Sequence, residues 1–430
     1  MNFSQTRDYL FSLRNKGSTF GIDRMATFIE TLGRPDTAYP IIHIAGTNGK
    51  GSTGAMLEQI FRSAGYKTGL FTSPHLVFLG ERIQVNRTSI SPETITSLIG
   101  DLDIHAKAIA GEGDENHPTF FEFMAAMAMV HFKREAVDIA IIETGLGGRL
   151  DATNVVDPLI SVITSIGLDH TNILGDTLEQ IAREKAGIIK QNRPVVIGRV
   201  PDSIADDFTK IAAEKNATVI SVQQKFGDEL EDYPLTNLYG TFQRWNAATA
   251  VTTCQHLERR FPGMLEISNS ALQLVDWPGR WQRIMLPCGR NIILDATHNP
   301  EGAQFLEENL EILEQELGQK LWIVAGTLGD FRAEYLIPVA AKHARALYFL
   351  EPKQPRAATF DDLQKYIPEA SKVPVENSFI EQLFPEKEIC SIGQPGDTIV
   401  VTGSIYLLGE VLERLTGVEK ETGAALQDLI

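Results

Sequence analysis

The chain has 430 residues, of which 43% are hydrophobic and 22% are charged, and this length predicts two globular domains. Its 39 basic and 56 acidic side chains give a formal net charge of −17, which disfavours general binding to nucleic acids or acidic membranes because both require a basic surface. Three scattered cysteines and an N-terminus without an apolar core argue against a disulfide framework and a signal peptide, so we expect a soluble, cytoplasmic protein.

Short apolar segments alternate with helical patterns along the first part of the chain. Because the apolar residues are continuous within each segment, they indicate a sheet that is buried on both faces, which is typical of parallel, doubly wound α/β folds. Helices are predicted for Ser52–Ala64 and Leu178–Ile189. The predicted strands are PIIHIA (from Pro40), KTGLFT, VDIAIIE, LISVITSI, RPVVIG and ATVISV.

A second, shorter series of apolar segments begins near Asn291, with NIILDA, LWIVAG, ALYFLE and TIVVTGS as its predicted strands. The segment Asp276–Arg290, DWPGRWQRIMLPCGR, is rich in proline and glycine and predicts the end of the first domain and a linker. GEGDENHP (Gly111–Pro118) predicts an exposed loop.

The segment after the first predicted strand, HIAGTNGKGSTG (His43–Gly54), favours a phosphate-binding loop. The standard pattern is G-x-x-x-x-G-K-[ST], whereas here Gly51 separates Lys50 from Ser52. The alternative is an ordinary strand–helix turn with a capping serine. Two features favour the phosphate-binding interpretation. Gly46, Gly49 and Gly51 let backbone N–H groups approach an anion, and Lys50 supplies a positive charge.

Polar side chains follow two further strands of the first series. Glu143 ends VDIAIIE, and His170 follows LISVITSI. The carboxyl ends of parallel strands face the crevice in which such sheets bind ligands, and a carboxylate there suits Mg²⁺. The alternatives are a glutamate that caps a neighbouring helix and a structural histidine. Lys185 lies on a predicted helix. From residue chemistry alone, we interpret it as a solvated or ion-paired lysine.

The second strand series repeats this arrangement. ILDATHNPEGAQ places Asp295 and His298 after one strand, and VVTGSIYLLGEV places Ser404 and Tyr406 after another. We infer a second ligand face, opposed to the first across a cleft that Arg280 bridges. The alternative is a pair of ordinary turns between strand and helix.

Together, these segments resemble the Mur ligase superfamily and, within it, the folylpolyglutamate synthases, including the bifunctional dihydrofolate synthase form. In that family the phosphate loop has the form G-T-N-G-K-G-[ST], so Gly51 is part of the family's own spacing. The resemblance extends from Ile41 to Val411 and is carried by HIAGTNGKGS, FTSPHL, ERIQVN, TFFEF, ETGLGGRLDATN, IGLDHTNILG, IAREKAGIIK, PGR, LDATHNP and VTGSIYLLGEV.

The resemblance implies an α/β fold with an N-terminal P-loop mononucleotide-binding domain on a mostly parallel sheet (residues 1–284) and a smaller C-terminal Rossmann-like domain (residues 285–430). It implies an ATP-dependent amide ligase that uses Mg²⁺ and adds L-glutamate to folates, and also to 7,8-dihydropteroate, through an acyl phosphate. The partners are then small molecules, with no nucleic acid and no membrane, and the protein is expected to be a monomer.

The resemblance also implies roles for individual residues. Lys185 matches a family lysine that is carbamylated, and Lys50, Lys185, Asp295 and His298 are the expected catalytic residues. The expected metal ligands are Ser73, Glu143 and His170. The expected ATP contacts are Thr47, Asn48, Gly49, Lys50, Gly51, Ser52, Asn246, Arg280 and Asp295. The expected substrate contacts are Gly21, Ile22, Asp23, Arg24, Thr119, Phe120, Phe121, Glu122, Leu150, Asp151 and Ala152 for the pterin, and Ser404 and Tyr406 for glutamate.

The sequence departs from the family pattern at three places. LDATHNP has Ala-Thr in place of Gly-Ala, Gln282 replaces an acidic residue, and GTLGDFR (Gly326–Arg332) lacks an Asp-Lys-Asp run. One alternative function is that of a peptidoglycan Mur ligase, whose additional N-terminal domain has no room before Gly46. The other is a P-loop ATPase switch without ligase activity, which the second-domain loops disfavour.

Overall fold

The structure is a computed structural model that describes residues 2–13, 22–111 and 116–417. Its strands are β1 (Ile41–Ala45), β2 (Thr68–Phe71), β3 (Ile83–Val85), β4 (Thr88–Ser89), β5 (Ile139–Glu143), β6 (Ile160–Ile163), β7 (Val195–Ile197), β8 (Val219–Ser221), β9 (Gln282–Met285), β10 (Asn291–Asp295), β11 (Leu321–Gly326), β12 (Ala344–Phe349), β13 (Val375–Asn377) and β14 (Thr398–Gly403).

The α-helices of the described residues flank these strands. They are α1 (Phe3–Ser12), α2 (Asp23–Thr31), α3 (Lys50–Ser63), α4 (Pro92–Ala110), α5 (Phe120–Arg134), α6 (Thr171–Leu174), α7 (Leu178–Ala186), α8 (Asp202–Glu214), α9 (Val222–Phe226), α10 (Thr241–Leu257), α11 (Met264–Ala271), α12 (Pro300–Leu317), α13 (Ala333–His343), α14 (Phe360–Gln364), α15 (Ile380–Leu383) and α16 (Ile405–Thr416). Within the described ranges, no helix is long and apolar enough to cross a membrane.

The first sheet has eight strands in the order β4-β3-β2-β5-β1-β6-β7-β8. Every pairing from β2 to β8 is parallel, which confirms the predicted parallel sheet, and each predicted strand is present. All five residues of β1 and of β5 are buried, because helices cover both faces of the sheet. The antiparallel extension by β3 and β4 was not predicted; β4 is only two residues long and exposed.

Helix α3 begins directly after the phosphate-loop sequence and lies at the centre of the first domain. Ten consecutive residues, from Ser52 to Phe61, are buried, because the helix packs between the sheet and helices α10 and α11 in one apolar cluster. The prediction of a helix from Ser52 to Ala64 is therefore confirmed to within two residues at its start. The predicted helix from Leu178 ends at Ala186, where Gly187 follows as its C-cap.

The second sheet has six strands in the order β13-β12-β11-β14-β10-β9. All pairings are parallel except that of β9 with β10, in which Met285 pairs with Asn291. The prediction of a linker over residues 276–290 was wrong for β9, which is an edge strand with alternating exposure joined to β10 by a turn that Leu286 and Arg290 close. The predicted domain boundary after residue 284 falls inside this strand, and the break between the sheets lies between α11 and β9.

Strand β1 carries a histidine, His43, that is completely buried. Its Nε2 lies 2.8 Å from the hydroxyl oxygen of Thr153, and that hydroxyl donates to the Asp151 carboxylate at 2.5 Å. Asp151 also accepts the N–H of Leu146 at 2.9 Å. The histidine therefore anchors the loop that follows β5, although sequence patterns gave no sign of this contact.

We predict that His43 makes the protein less stable in mild acid. Burial, with the nearby Lys190 charge, lowers the pKa of His43 to about 3, so between about pH 6.5 and pH 3 the unfolded chain binds the proton and the folded chain does not. The free energy of unfolding then falls with falling pH, by up to about 1.4 kcal/mol per pH unit from this group. Urea unfolding of the wild type and His43→Gln at several pH values measures this, and an equal pH slope in both would contradict it.

Candidate active site

The phosphate-loop sequence forms a tight turn between β1 and α3. Gly49 has a φ of +84° and forms the N-cap of α3, a conformation that favours glycine. The N–H of Thr47 donates to the Ser165 carbonyl at 2.9 Å, and that of Asn48 donates to the Ser165 hydroxyl at 3.0 Å. The loop is thereby fixed to the end of β6, and the α3 N-terminus points into a cleft lined by residues 46–52.

Lys50 folds back over this loop. Its ammonium donates to the Gly46 carbonyl at 3.2 Å and lies 3.8 Å from a carboxylate oxygen of Glu143. The charge is thus held over the loop beside the end of β5, where an incoming phosphate would meet it.

The indole of Trp277 explains why residue 51 is glycine. A Cβ atom on Gly51 would lie 2.6 Å from Cζ2 of Trp277, far inside van der Waals contact. The Arg87 guanidinium covers that indole, 5.4 Å from its ring centroid. The residue that separates Lys50 from Ser52 is therefore one that this packing requires to be small.

We predict that Gly51→Ala weakens ATP binding by about tenfold, because overpacking costs about 1–3 kcal/mol and displaces the loop or the indole. Calorimetric titration with ATP measures the loss. Removal of the obstacle in Gly51→Ala/Trp277→Ala is expected to restore part of the affinity. Gly100→Ala, where nothing lies within 4 Å of the added Cβ, is the control, and equal affinities for all variants would exclude the packing role.

The three predicted metal ligands come together in the same cleft. Glu143 ends β5, Ser73 follows β2 and His170 follows β6. Burial raises the pKa of Glu143 to about 7 against the opposing charge of Lys50, and burial lowers the pKa of His170 to about 4, which leaves a neutral imidazole. A carboxylate, a hydroxyl and an imidazole fit a hard divalent cation. The charge of that cation would offset the free-energy cost of burying the Glu143 carboxylate.

Lys185 lies on α7 with its side chain buried against the loop. Its ammonium donates to the Gly46 carbonyl at 2.9 Å. Burial and the Lys50 charge lower its pKa to about 7. The structure therefore contradicts the sequence-based expectation of a solvated or ion-paired lysine, because no carboxylate lies within ion-pair distance of it among the described residues.

The second domain supplies the opposite wall of the cleft. The Asp295 carboxylate accepts the Trp281 N–H at 3.0 Å and the Thr297 hydroxyl at 2.6 Å. Arg280 donates to the Ala296 carbonyl at 3.1 Å, and Nε2 of His298 lies 3.5 Å from the Asp169 carboxylate. The predicted second face is thus matched by the lining of the cleft for Arg280, Asp295 and His298, whereas Ser404 and Tyr406 are not among the residues that line it.

The predicted ATP contact Asn246 lies on α10. Its side-chain Oδ1 lies next to Gly49 of the loop. A Cβ atom added to Gly49 would be only 2.2 Å from this oxygen. Its amide nitrogen donates to Gln243 at 3.0 Å. The residue is therefore brought to the loop from a helix about 200 positions further along the chain.

A polar contact between the two domains was missed by the sequence reasoning. The Asn48 amide donates to Glu301 at 2.5 Å, and the Asn299 amide donates to the Asn48 side chain at 2.9 Å and to Asp169 at 3.1 Å. Asn299 also caps α12 through the N–H of Gly302. The only sequence signal was the Asn-Pro start of that helix, which indicates a cap and carries no information about a partner in the other domain.

The predicted pterin positions that the structure describes are not among the residues that line the cleft. Glu122 accepts hydrogen bonds from Arg24 at 2.8 Å and from the Thr119 backbone at 2.7 Å, in the capping box of α5. Phe121 packs against Gly145, which lines the cleft; a Cβ on that glycine would lie 2.5 Å from the ring. Gly21 is outside the described residues. The other predicted substrate positions are placed at the start of α2, at the start of α5, in the loop before Asn154 and at the start of α16: Ile22, Asp23, Phe120, Leu150, Asp151, Ala152, Ser404 and Tyr406.

Comparison with known proteins places this cleft in a known class of enzymes. The family model of the Mur ligase middle domain matches residues 44–275, and that of the Mur ligase glutamate ligase domain matches residues 279–405. The phosphate loop falls within the first match, and Arg280, Asp295 and His298 fall within the second. The chain belongs to the Mur ligase family.

Individual relatives narrow the assignment to the folylpolyglutamate synthase branch of that family. The chain is 34% identical to the dihydrofolate synthase/folylpolyglutamate synthase of Bacillus subtilis, over 96% of this chain and 99% of that protein. Escherichia coli FolC in complex with DHPP and ADP matches with a TM-score of 0.78 at 28% identity, over 95% of this chain and 97% of that one. The bifunctional Yersinia pestis enzyme, complexed with AMPPNP and an Mn ion, matches with a TM-score of 0.79 at 30% identity, over 96% and 98%.

Proposed function

We propose that this protein is an ATP-dependent ligase that adds L-glutamate to folates, and also to 7,8-dihydropteroate. The observation that carries the proposal is the pairing of two faces in one cleft: the phosphate loop and Glu143 on the first domain, and Arg280, Asp295 and His298 on the second. The names of its relatives, which cover nearly the whole chain, support the same substrates.

Residues from both walls of the cleft bind and polarise ATP. Backbone N–H groups at the start of α3 and the Lys50 ammonium receive the phosphates, and Asn246, Arg280 and Asp295 hold the rest of the nucleotide. Ser73, Glu143 and His170 would hold Mg²⁺, which neutralises phosphate charge when it is bound. The Mn ion in the Yersinia pestis enzyme supports a divalent cation in this branch of the family.

The ligation then needs two displacements. A carboxylate oxygen of the folate or pteroate attacks the γ-phosphorus of ATP, giving an acyl phosphate and ADP, because a free carboxylate does not react with an amine at a useful rate. The glutamate amine next attacks the acyl carbon and expels phosphate, giving the amide and releasing a proton. The chain contributes positioning and charge. The Lys50 ammonium stays beside the phosphate as it is transferred, and His298 faces the reacting groups.

We also propose that Lys185 is carbamylated. Its neutral amine attacks CO₂, one N–H proton is lost, and the product is an anionic carbamate. A lysine with a lowered pKa is suited to this reaction because the neutral amine is the nucleophile. The anion would lie beside Gly46 and close to the proposed metal ligands.

The substrate contacts are proposed as the family resemblance gives them. Residues 21–24, 119–122 and 150–152 would receive the pterin; within the second group, the Phe121 ring packs on Gly145 in the loop that follows Glu143. Ser404 and Tyr406, at the start of α16, would contact the incoming glutamate. DHPP in the complex of Escherichia coli FolC supports a pterin substrate.

The test is ATP- and Mg²⁺-dependent incorporation of labelled glutamate, run in parallel on 7,8-dihydropteroate and on a reduced folate. Product from both substrates establishes the bifunctional enzyme. Product from the folate alone limits the activity to chain extension and removes the pteroate role of residues 150–152. ATP hydrolysis without product from either would favour the ATPase switch and reject the ligase.

A further inference from the structure

The loop between β2 and β3, residues 73–81, is organised by a single carboxylate. Glu81 accepts three backbone hydrogen bonds, from Leu76 at 2.7 Å, Val77 at 3.0 Å and Phe78 at 2.8 Å. The N–H of Thr72 donates to the Arg82 carbonyl at 3.0 Å and closes the base of the loop. Hydrogen bonds to an ionised acceptor are about twice as strong as neutral ones, so Glu81 holds a segment that has no strand or helix before residue 79.

The tip of this loop docks onto the second domain. Leu76 and Val77 pack against the apolar cluster of that domain, to which α16 contributes Leu407 and Leu408. The Leu76 carbonyl lies directly over α16, at Gly409, where a Cβ would come within 2.1 Å of the carbonyl oxygen. The contact between the domains therefore requires both the loop conformation and a helix without a side chain at position 409.

The other end of the loop is part of the active site. Ser73 opens it and lines the cleft together with Glu143. Ser73 and Pro74 line the nucleotide cleft, while Leu76 and Glu81 line a neighbouring cavity that shares Ser73, Glu143 and Arg280 with it. One short segment thus joins the second domain to the side chains that are suited to a metal.

We propose that Glu81 is a positioning residue that couples docking of the second domain on α16 to the placement of Ser73 beside Glu143. The inference rests on the proposed function for the metal role of Ser73. Without the Glu81 carboxylate, three N–H groups lose their acceptor, Leu76 no longer meets Gly409 in one fixed arrangement, and Ser73 is released from the far end of the same loop.

The experiment compares Glu81→Gln, Glu81→Ala and Gly409→Ala with the wild type. The glutamine keeps the shape but can place an amide donor against the backbone N–H groups, and the Gly409 variant disturbs the loop from the opposite domain. Glu93→Gln, an exposed change in the first turn of α4, is the control. Hydrogen exchange of residues 73–82, calorimetric Mn²⁺ affinity with ADP present, and the Mg²⁺ dependence of ligation are measured well below the unfolding temperature.

We expect exchange of the Leu76–Phe78 amides to quicken in both Glu81 variants and Mn²⁺ affinity to fall by about tenfold or more in all three test variants, while Glu93→Gln matches the wild type. Faster exchange with unchanged Mn²⁺ affinity and Mg²⁺ dependence would overturn the coupling and leave Glu81 a local structural role. Unchanged exchange would overturn the role of the carboxylate itself. Exchange and Mn²⁺ binding are read without turnover, so a wild type that fails to ligate glutamate rejects the proposed function separately.

Discussion

Lys50→Ala is expected to abolish measurable ligation, with kcat reduced by about 10³-fold or more, because one charge aimed at the transferred phosphoryl group is worth that much in related chemistry. The ammonium lies 3.2 Å from the Gly46 carbonyl, over the loop, with the buried Glu143 beside it. Steady-state kinetics with saturating ATP, folate and glutamate measure the loss.

We expect Lys50→Ala to slow the chemical step of the reaction. Lys210→Ala, which removes an exposed lysine paired with Asp207, is the control for the loss of a surface charge and is expected to match the wild type. Near-normal turnover in Lys50→Ala would refute the assignment of the loop as the catalytic phosphate site, whatever its affinity for ATP.

Lys185→Ala is expected to lower kcat by about 10²–10³-fold, since a preorganised charge at a reacting centre contributes on that scale. Lys185→Arg keeps a positive charge but forms no carbamate, and is expected to be as inactive. Lys185→Glu supplies a permanent carboxylate and is expected to retain more activity than either.

The carbamate itself can be observed directly. Protein equilibrated with ¹³CO₂ is expected to show a carbamate carbon resonance that is absent from Lys185→Ala, and wild-type activity is expected to fall in CO₂-free buffer and return when bicarbonate is added. Full activity without CO₂, or equal rates for the arginine variant and the wild type, would contradict the proposal and leave Lys185 as a buried cation beside Gly46.

Most of the fold was accessible from the sequence because its strands are buried on both faces. Continuous apolar runs such as Ile139–Ile142 are typical of strands at the centre of a parallel sheet, and each predicted strand is present. The edge strand β9 escaped prediction for the opposite reason. Gln282–Met285 alternates in exposure and has one free edge, so its proline- and glycine-rich surroundings dominated the pattern.

The residues of the candidate site also fall into two groups, those that could be predicted from the sequence and those that could not. Residues that directly follow strands could be predicted, because parallel strands end at one edge of a sheet: Glu143, His170, Asp295 and His298 line one cleft. Lys185 could not be assigned from its chemistry, since its burial against Gly46 depends on how α7 packs; only the family resemblance pointed to it. The same holds for Asn246, which reaches the loop from α10.

By itself, the sequence determined the phosphate loop, the parallel first sheet and the strand ends that carry polar side chains, because each depends on residues that are near neighbours in the chain. Only the tertiary structure decided why position 51 is glycine and how Asn48 meets Asn299 and Glu301. Those contacts join segments up to about 250 positions apart, and no local pattern encodes a partner at that distance, since it is the packing of the two domains that brings the atoms together.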